Sequence, residues 1–467
     1  MARVETDSLG AFELPDEALY GAHTARAREN FMLSGQGSAP ELVSALAQVK
    51  IACARTNAEL GFLETDVADA IVRACREIIA GQHGAEFVVD ALQGGAGTSL
   101  NMNVNEVVAN RAEELLGGRR GEYRLVHPID HVNLHQSTND TYPTALKVAA
   151  IGMLRALHKD ISELQKAFQQ KEQAFAHVVK IGRTQLQDAC PTTLGASFSA
   201  WAEAVSRDRW RVSKCEERLR VVNLGGTAIG TGITAPRDYI FAVTERLREE
   251  TGMGLARADN LVDATQNADA FVEVSGILKA HAVNLLKISN DLRLLASGPR
   301  AGLGELHLPA MQVGSSIMPG KVNPVICEAV AQVAMQTIAN DAAITMAVQS
   351  GQLELNAFLP LVAHALLGSL TLLRRANQMF RCRCIEGITA DEGQCEAHVQ
   401  RSLATVTALV PLLGYETAAG LAKQALQQNR TIAELVLEQQ LLPQEELEQA
   451  LSASAMTTLG FRGKPRN

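Results

Sequence analysis

The stretch Gly314-Ser315-Ser316-Ile317-Met318-Pro319-Gly320-Lys321-Val322-Asn323-Pro324 decides how the rest of the chain reads. It places two adjacent hydroxyls, a Pro-Gly corner and one ammonium within a few residues, and it ends on Asn-Pro ahead of a long apolar-periodic run. Pro324 suits the first helical position, where its missing N–H costs nothing, and Asn323 suits the cap before it. The free N–H groups and positive dipole end of that helix would then face the same space as Lys321 and the serines. This composition points to an anion site at a helix start.

At 467 residues the chain can hold a large core, and its length suggests about three domains. A net charge of −8, with both signs interspersed, argues against nucleic acid or an anionic membrane as partner. The first residues lack an apolar signal region, and no stretch approaches the length of a membrane span. A soluble, cytoplasmic protein is expected. Eight cysteines sit singly within helical patterns, which suggests reduced thiols. Cys382-Arg-Cys384 with Cys395 and His398 does not read as a zinc set, because a C-x-C arm on a helix does not put both sulfurs on one face. No metal and no cofactor are expected. Aromatic residues make up only 4% of the chain while Ala and Leu dominate, so the core should be helix against helix.

Outward from the loop, the chain reads as almost entirely helical. The opening to about residue 39 is irregular, broken by Gly10, Pro15, Gly21, Gly35 and Gly37. A helix from Pro40 carries Leu42, Leu46, Val49 and Cys53 on one stripe, and a second follows a Thr65 cap. Gln93 to Ser99 is a glycine-rich turn ahead of a helix containing Asn101, Asn103, Asn105 and Glu106. It lacks the Gly-Lys-Ser/Thr ending and the βαβ context of a nucleotide loop, so its carboxamides read as buried hydrogen-bonding structure. Long helices are expected near 143–178, after Pro191, and near 263–297, 324–350 and 355–385. Five helices of roughly thirty residues make a bundle about 45 Å long. Beyond Gly387 the elements shorten; Thr431 to Glu434 is a capping box, Pro443 opens a short helix, and Gly460 to Asn467 is expected to be loose.

Four polar stretches share one construction: Thr98 with Ser99, Ser137-Thr138-Asn139, Thr184-Gln185, and Ser315 to Asn323. Each is expected just before a helix N-terminus. Together they would supply hydroxyl and amide donors and several dipole ends of one sign to a small dianion.

The signature loop, the run Gly94 to Asn105, Ser137-Thr138-Asn139-Asp140 and Gly182-Arg183-Thr184-Gln185-Leu186-Gln187-Asp188-Ala189 resemble the corresponding motifs of the aspartase/fumarase superfamily. Gly21 to Phe31 resembles a further stretch of it, with no role assignable from physics. The resemblance implies an all-α fold of three domains: a mostly helical N-terminal domain over 1–136, a central long-helix bundle over 137–387 and a small helical domain over 388–467. It also implies a homotetramer with shared active sites acting on a small dicarboxylate. Ser315 would be the general base at C3. Thr98, Ser137, Thr138 and Ser316 would hold the adjacent carboxylate, with Ser99 beside them. Lys321 and Asn323 would hold the other carboxylate, and Asn139, Thr184 and Gln185 would lie around an amino group. Fumarases usually carry His where this chain has Gln185, so the likeness is to the ammonia-lyase branch, which releases fumarate from L-aspartate. A fumarase, a lyase for a larger amine and a catalytically silent structural oligomer are the alternatives. His135 replaces the Ser or Cys more usual before this motif's Gln, and reads as a packed histidine or one that tunes the pocket.

Overall fold

The computed structural model describes residues 2–460, so the expectation of a loose tail falls almost wholly outside it. The chain forms two compact units. One takes the residues up to Lys159 with Trp210–Val283 and Ala334–Arg374; the other takes Asp160–Arg209, Asn284–Val333 and the residues from Arg375 onward. The architecture is all-α as expected, with four two-stranded ladders as its only sheets among the described residues. Long helices dominate: Thr138–Ala174, Leu194–Leu219, Asp269–Leu295, Val325–Gln349 and Leu359–Arg383.

In the first unit, the helix Pro40–Glu59 packs on Thr65–Ile79 and on Arg237–Thr251. Its expected stripe of Leu42, Leu46, Val49 and Cys53 is buried; the polar Lys50, Thr56 and Asn57 are buried along the same side, and Ala47, Ile51 and Ala54 are buried on others. A helix enclosed this fully must find partners for its polar groups.

The opening segment is more ordered than its glycines suggest. Ala2–Asp7 and Gly10–Pro15 pair as an antiparallel hairpin, and Ala22–Asn30 is a helix. Each strand buries a single residue, Glu5 and Leu14, so there is no apolar alternation to read. The start of Ala22–Asn30 is closed by the buried carboxylate of Glu106. That group accepts from Gly21 N (2.9 Å), His23 N (3.0 Å), Thr24 N (3.1 Å) and Thr24 Oγ1 (2.5 Å). A carboxylate here meets the positive end of the helix dipole, while burial pushes its pKa up to about 6. The Gly21–Phe31 motif thus has a structural role in docking the N-terminal segment onto the Asn-rich helix.

Three boundaries differ from expectation. The helix expected to begin at Pro143 begins at Thr138 and runs through the proline. Pro143 has no N–H for the Asn139 carbonyl, and Asn223 Nδ2 supplies the missing donor at 3.0 Å. The single helix expected over 263–297 is split into Leu261–Gln266 and Asp269–Leu295. Asn267 is extended there and ties its side chain back to Asp263 Oδ1 (2.7 Å). Finally, Gly182 to Pro191 is a hairpin, Val179–Thr184 against Gln187–Thr193, and the next helix starts only at Leu194.

The second unit gathers Phe168, Phe175, Phe198, Trp201 and Phe380 into one cluster of edge-to-face and tilted contacts. Cys327 and Cys384 are buried with their sulfurs 3.7 Å apart, whereas Cys382 is exposed. Near the C-terminus, Leu409, Leu421, Ile432, Leu435 and Val436 make a small separate core. The capping box forms there as read, with Thr431 Oγ1 and Glu434 bonding reciprocally.

The helix Thr98–Leu115 begins after Gly97, which has φ +94°. A Cβ at Gly97 would lie 2.3 Å from Tyr142 Cδ2, so only glycine lets this helix start against the Thr138–Ala174 helix. Gly97→Ala is expected to lower stability by at least about 2 kcal/mol, through backbone strain and overpacking. A urea denaturation midpoint equal to wild type would contradict this.

Candidate active site

Within the first unit the structure brings the glycine turn and the Ser-Thr-Asn-Asp motif together. Ser137 caps the long helix: its Oγ accepts from Asn139 N at 3.2 Å, which leaves its own O–H to donate. Asn101 Nδ2 donates to Thr138 Oγ1 at 3.1 Å, so Thr138 too keeps a hydroxyl proton, with no protein acceptor among the described residues. Asn139 Nδ2 donates to Ala228 O (2.8 Å), and its Oδ1 is left as an acceptor of the kind an ammonium group requires. Thr98 is less available than expected, because its Oγ1 and its N–H both point to Gly95 O, at 2.7 and 3.0 Å. Ser99 is buried beside it in the first turn.

Two buried charges hold this arrangement from below. Asp140 accepts from Ser137 N, Gly225 N and Thr227 N, each at 3.0 Å, and burial pushes its carboxyl up to about 7. Lys50 Nζ donates to Asn101 Oδ1 (2.8 Å), Gln136 Oε1 (2.8 Å) and Asn133 Oδ1 (3.0 Å). Burial pushes its pKa down to about 8. Neither residue was a candidate from sequence. The signal for Lys50 was present, since it is the one charge between Val43 and Ala54 in an otherwise apolar and small-residue helix.

His135 packs edge-on against Phe62 and Tyr239, with ring centroids at 5.0 and 5.4 Å, and bonds Asn57 Oδ1 at 2.7 Å through Nδ1. It has φ +60°, and burial lowers its pKa. Of the two sequence readings, the packed histidine is the one realised.

In the second unit, Thr184 and Gln185 lie at an exposed hairpin tip, and this corrects the expectation of a helix start. Gln185 and Leu186 have φ of +55° and +64°, the left-handed pair of a two-residue turn that favours Asn-Gly. Leu186 is also 70% exposed. Strained non-glycine backbone carrying an exposed leucine is costly unless the tip serves a ligand or another chain. The hairpin's first strand is held by Glu305, which is fully buried. Its Oε1 receives Arg183 Nη1 at 2.7 Å and His398 Nδ1 at 3.0 Å. Lys180 Nζ stands 3.3 Å from Oε2 and donates to Ile181 O; Oε2 itself accepts no hydrogen bond among the described residues.

The signature loop is solvent-exposed. Ser315 Oγ accepts from Ile317 N (3.3 Å) and Met318 N (3.0 Å). Donors directed at this oxygen favour its charged form. Asn323 is not the expected helix cap; its Nδ2 donates to Gly314 O (2.8 Å) and closes the loop's neck, while the helix proper begins at Val325. Ser316 and Lys321 are exposed, and Lys321 makes no ion pair among the described residues. Among the described residues no hydrogen bond joins the Thr184–Gln185 tip to this loop. Among the described residues no cluster of three or more His, Cys, Asp or Glu side chains could hold a metal, and no helix is long and apolar enough to cross a membrane.

Comparison with known proteins adds the following. The chain matches the family model described as Lyase over residues 10–339, and that described as Fumarase C C-terminus over 406–458. It is 49% identical over 448 residues to an aspartate ammonia-lyase of Helicobacter pylori, covering 96% of each chain. It is 46% identical over 462 residues to one of a Bacillus species, covering 99% of each. Among solved structures, a fumarate lyase:delta crystallin from Brucella melitensis bound to cobalt superposes with a TM-score of 0.93 at 50% identity, over 97% of this chain and 98% of that one. A class II fumarase from Schistosoma mansoni superposes with a TM-score of 0.90 at 36% identity, over 97% and 98%.

The loop neck yields a direct test. A Cβ at Gly314 would lie 1.6 Å from the Lys321 carbonyl oxygen, so a side chain there must open the neck. Gly314→Ala is expected to leave helix content unchanged and to make the loop more rapidly cleaved by protease. Unchanged cleavage kinetics would contradict the neck as described.

Proposed function

This chain belongs to the aspartase/fumarase superfamily of lyases, and from that premise we propose that it converts L-aspartate reversibly to fumarate and ammonia, with Ser315 as the base. The observation that carries the serine assignment is the pair of backbone N–H groups directed at Ser315 Oγ. A free serine hydroxyl is too weak an acid to supply a base near neutral pH, and such donors stabilise its alkoxide.

The step begins with transfer of the C3 proton to Ser315 Oγ. The electron pair moves into the adjacent carboxylate and makes a dianionic aci-carboxylate. Charge therefore grows on that group during the step, and donors already in place stabilise it. Each such preorganised donor contributes roughly 3–4 kcal/mol. Ser137 and Thr138 have the required geometry, because each accepts from the protein and keeps its own proton. Ser316 and, after its hydroxyl turns from Gly95, Thr98 complete the set, with Ser99 beside them. Lys321 and the second amide hydrogen of Asn323 hold the other carboxylate. The C2–N bond then breaks, ammonia leaves and the C2–C3 double bond of fumarate forms. Asn139 Oδ1, Thr184 and Gln185 surround the amine.

The alternative reaction, addition of water to fumarate, is less well served by this chain. Gln185 cannot exchange a proton near neutral pH, and the relatives described above as aspartate ammonia-lyases are more similar to it than the fumarase is.

The exposed serine loop and the strained, exposed hairpin tip further support completion of the pocket by other copies of the chain, as homotetramer with sites shared among three subunits. Two impaired variants, Ser315→Ala and Thr138→Val, should then regain part of the lost activity when mixed, dissociated and reassembled. Mixtures that stay as impaired as their components would count against shared sites.

For the reaction, purified protein is supplied in parallel with L-aspartate and L-malate while fumarate is followed by ultraviolet absorbance. Fumarate from aspartate alone is expected, and fumarate from malate alone would replace this reading with a hydratase. Ser315→Ala should lower kcat about 10²- to 10⁴-fold or more without changing the oligomer; retained turnover would refute the base assignment.

A further inference from the structure

The hydrogen bonds beneath Thr138 run in one direction only, and their source is Lys50. An ammonium group donates and never accepts. Lys50 Nζ is fully buried and aimed at the side-chain oxygens of Asn101, Asn133 and Gln136. Each of those amides has one oxygen and one NH2, so fixing the oxygen fixes the amide's orientation. For Asn101, itself fully enclosed, the result is that Nδ2 faces Asn133 Oδ1 (3.2 Å) and Thr138 Oγ1 (3.1 Å). The opposite orientation would press an NH2 against an ammonium in a dry interior, leaving both donors unsatisfied.

We propose that Lys50 is a positioning residue for this reaction: acting through Asn101, it fixes Thr138 as a hydrogen-bond donor toward the carboxylate on which charge develops. The inference rests on the dicarboxylate reading of the site. Thr138 Oγ1 accepts from Asn101, so one of its two lone pairs is occupied, its proton cannot point inward at Nδ2, and that proton is left for the ligand. A hydroxyl without that constraint could rotate and present a lone pair to the carboxylate, which would repel it. Gln136 extends the same arrangement, since it spends its oxygen on Lys50 and donates Nε2 to Val132 O (3.0 Å) and Leu134 O (3.2 Å), fixing the turn directly before Ser137. Burial lowers the Lys50 pKa only to about 8, so the donating ammonium form predominates at neutral pH.

Lys50→Met removes the source but leaves three buried oxygens without their donor, a loss expected to impair folding itself. The decisive variant is therefore Asn101→Asp. It keeps the shape and gives Lys50 an anionic partner, but it puts an acceptor where Nδ2 stood, so Thr138 must turn its proton inward. The probe is succinate, a dicarboxylate that cannot react, with binding measured by calorimetry on the intact oligomer. Asn101→Asp is expected to weaken succinate binding about 10- to 100-fold and to raise KM for L-aspartate in parallel, over and above any drop in melting temperature from the acceptor it sets against Asn133 Oδ1 (3.2 Å). A merely structural role for the network would shift melting and leave affinity alone. Thr138→Val should weaken succinate to a similar extent, and Asn101→Asp combined with Thr138→Val should be no worse than Thr138→Val by itself. Wild-type affinity in Asn101→Asp, or additive losses in the double variant, would overturn the relay alone. Wild-type protein that binds no succinate would overturn the dicarboxylate pocket and the relay with it.

Discussion

A charge sealed inside a protein must be given partners of the opposite polarity, and that requirement shapes both units of this chain. In the first unit the charge is the Lys50 ammonium. Three amide oxygens from Asn101, Asn133 and Gln136 turn toward it, and their orientation passes outward to the Ser-Thr-Asn motif. In the second unit the charge is the Glu305 carboxylate. Arg183 and His398 contact it and Lys180 stands close by, so the hairpin that carries Thr184 and Gln185 is held along its first strand. Breaking a buried pair from one side leaves the other charge stranded, which makes such nodes rigid. Rigid supports of this kind are what functional side chains require, because a small misplacement forfeits much of the benefit of preorganisation.

The groups that would meet substrate are of two kinds. Ser137, Thr138 and Asn139 sit on a helix start held from beneath by Lys50, Asp140 and Asn223. The serine loop is different: it is exposed, it is closed only at its neck by Asn323 and Gly314, and it contains the Pro319-Gly320 corner. The candidate groups thus divide between a helix start with buried supports and an exposed loop.

The fold class and the hydroxyl and amide donors of the candidate site were legible because they are written in local patterns. Leu42, Leu46, Val49 and Cys53 recur at helical spacing, Thr431 to Glu434 spells its own cap, and the Ser315 loop carries its polar groups contiguously. The N-terminal hairpin was not legible, because each of its strands buries one residue and an alternation needs several. The helix start at Thr138 was hidden by Pro143, since the donor that compensates for the proline is Asn223, some eighty residues away in the sequence. The hairpin at Gln185 was missed because Gln-Leu is an unusual pair for a left-handed two-residue turn.

By itself the sequence determined the set of long helices, the four polar motifs and their kinship with a lyase superfamily. These follow from periodicity and from residue types at fixed spacing, which are properties of neighbours along the chain. Only the tertiary structure decided which polar groups have a proton left to give. Whether Thr138 donates or accepts depends on Asn101, and Asn101 on Lys50, residues from three separate helices. Hydrogen-bond direction belongs to a three-dimensional network of buried groups, and no single stretch of sequence contains it.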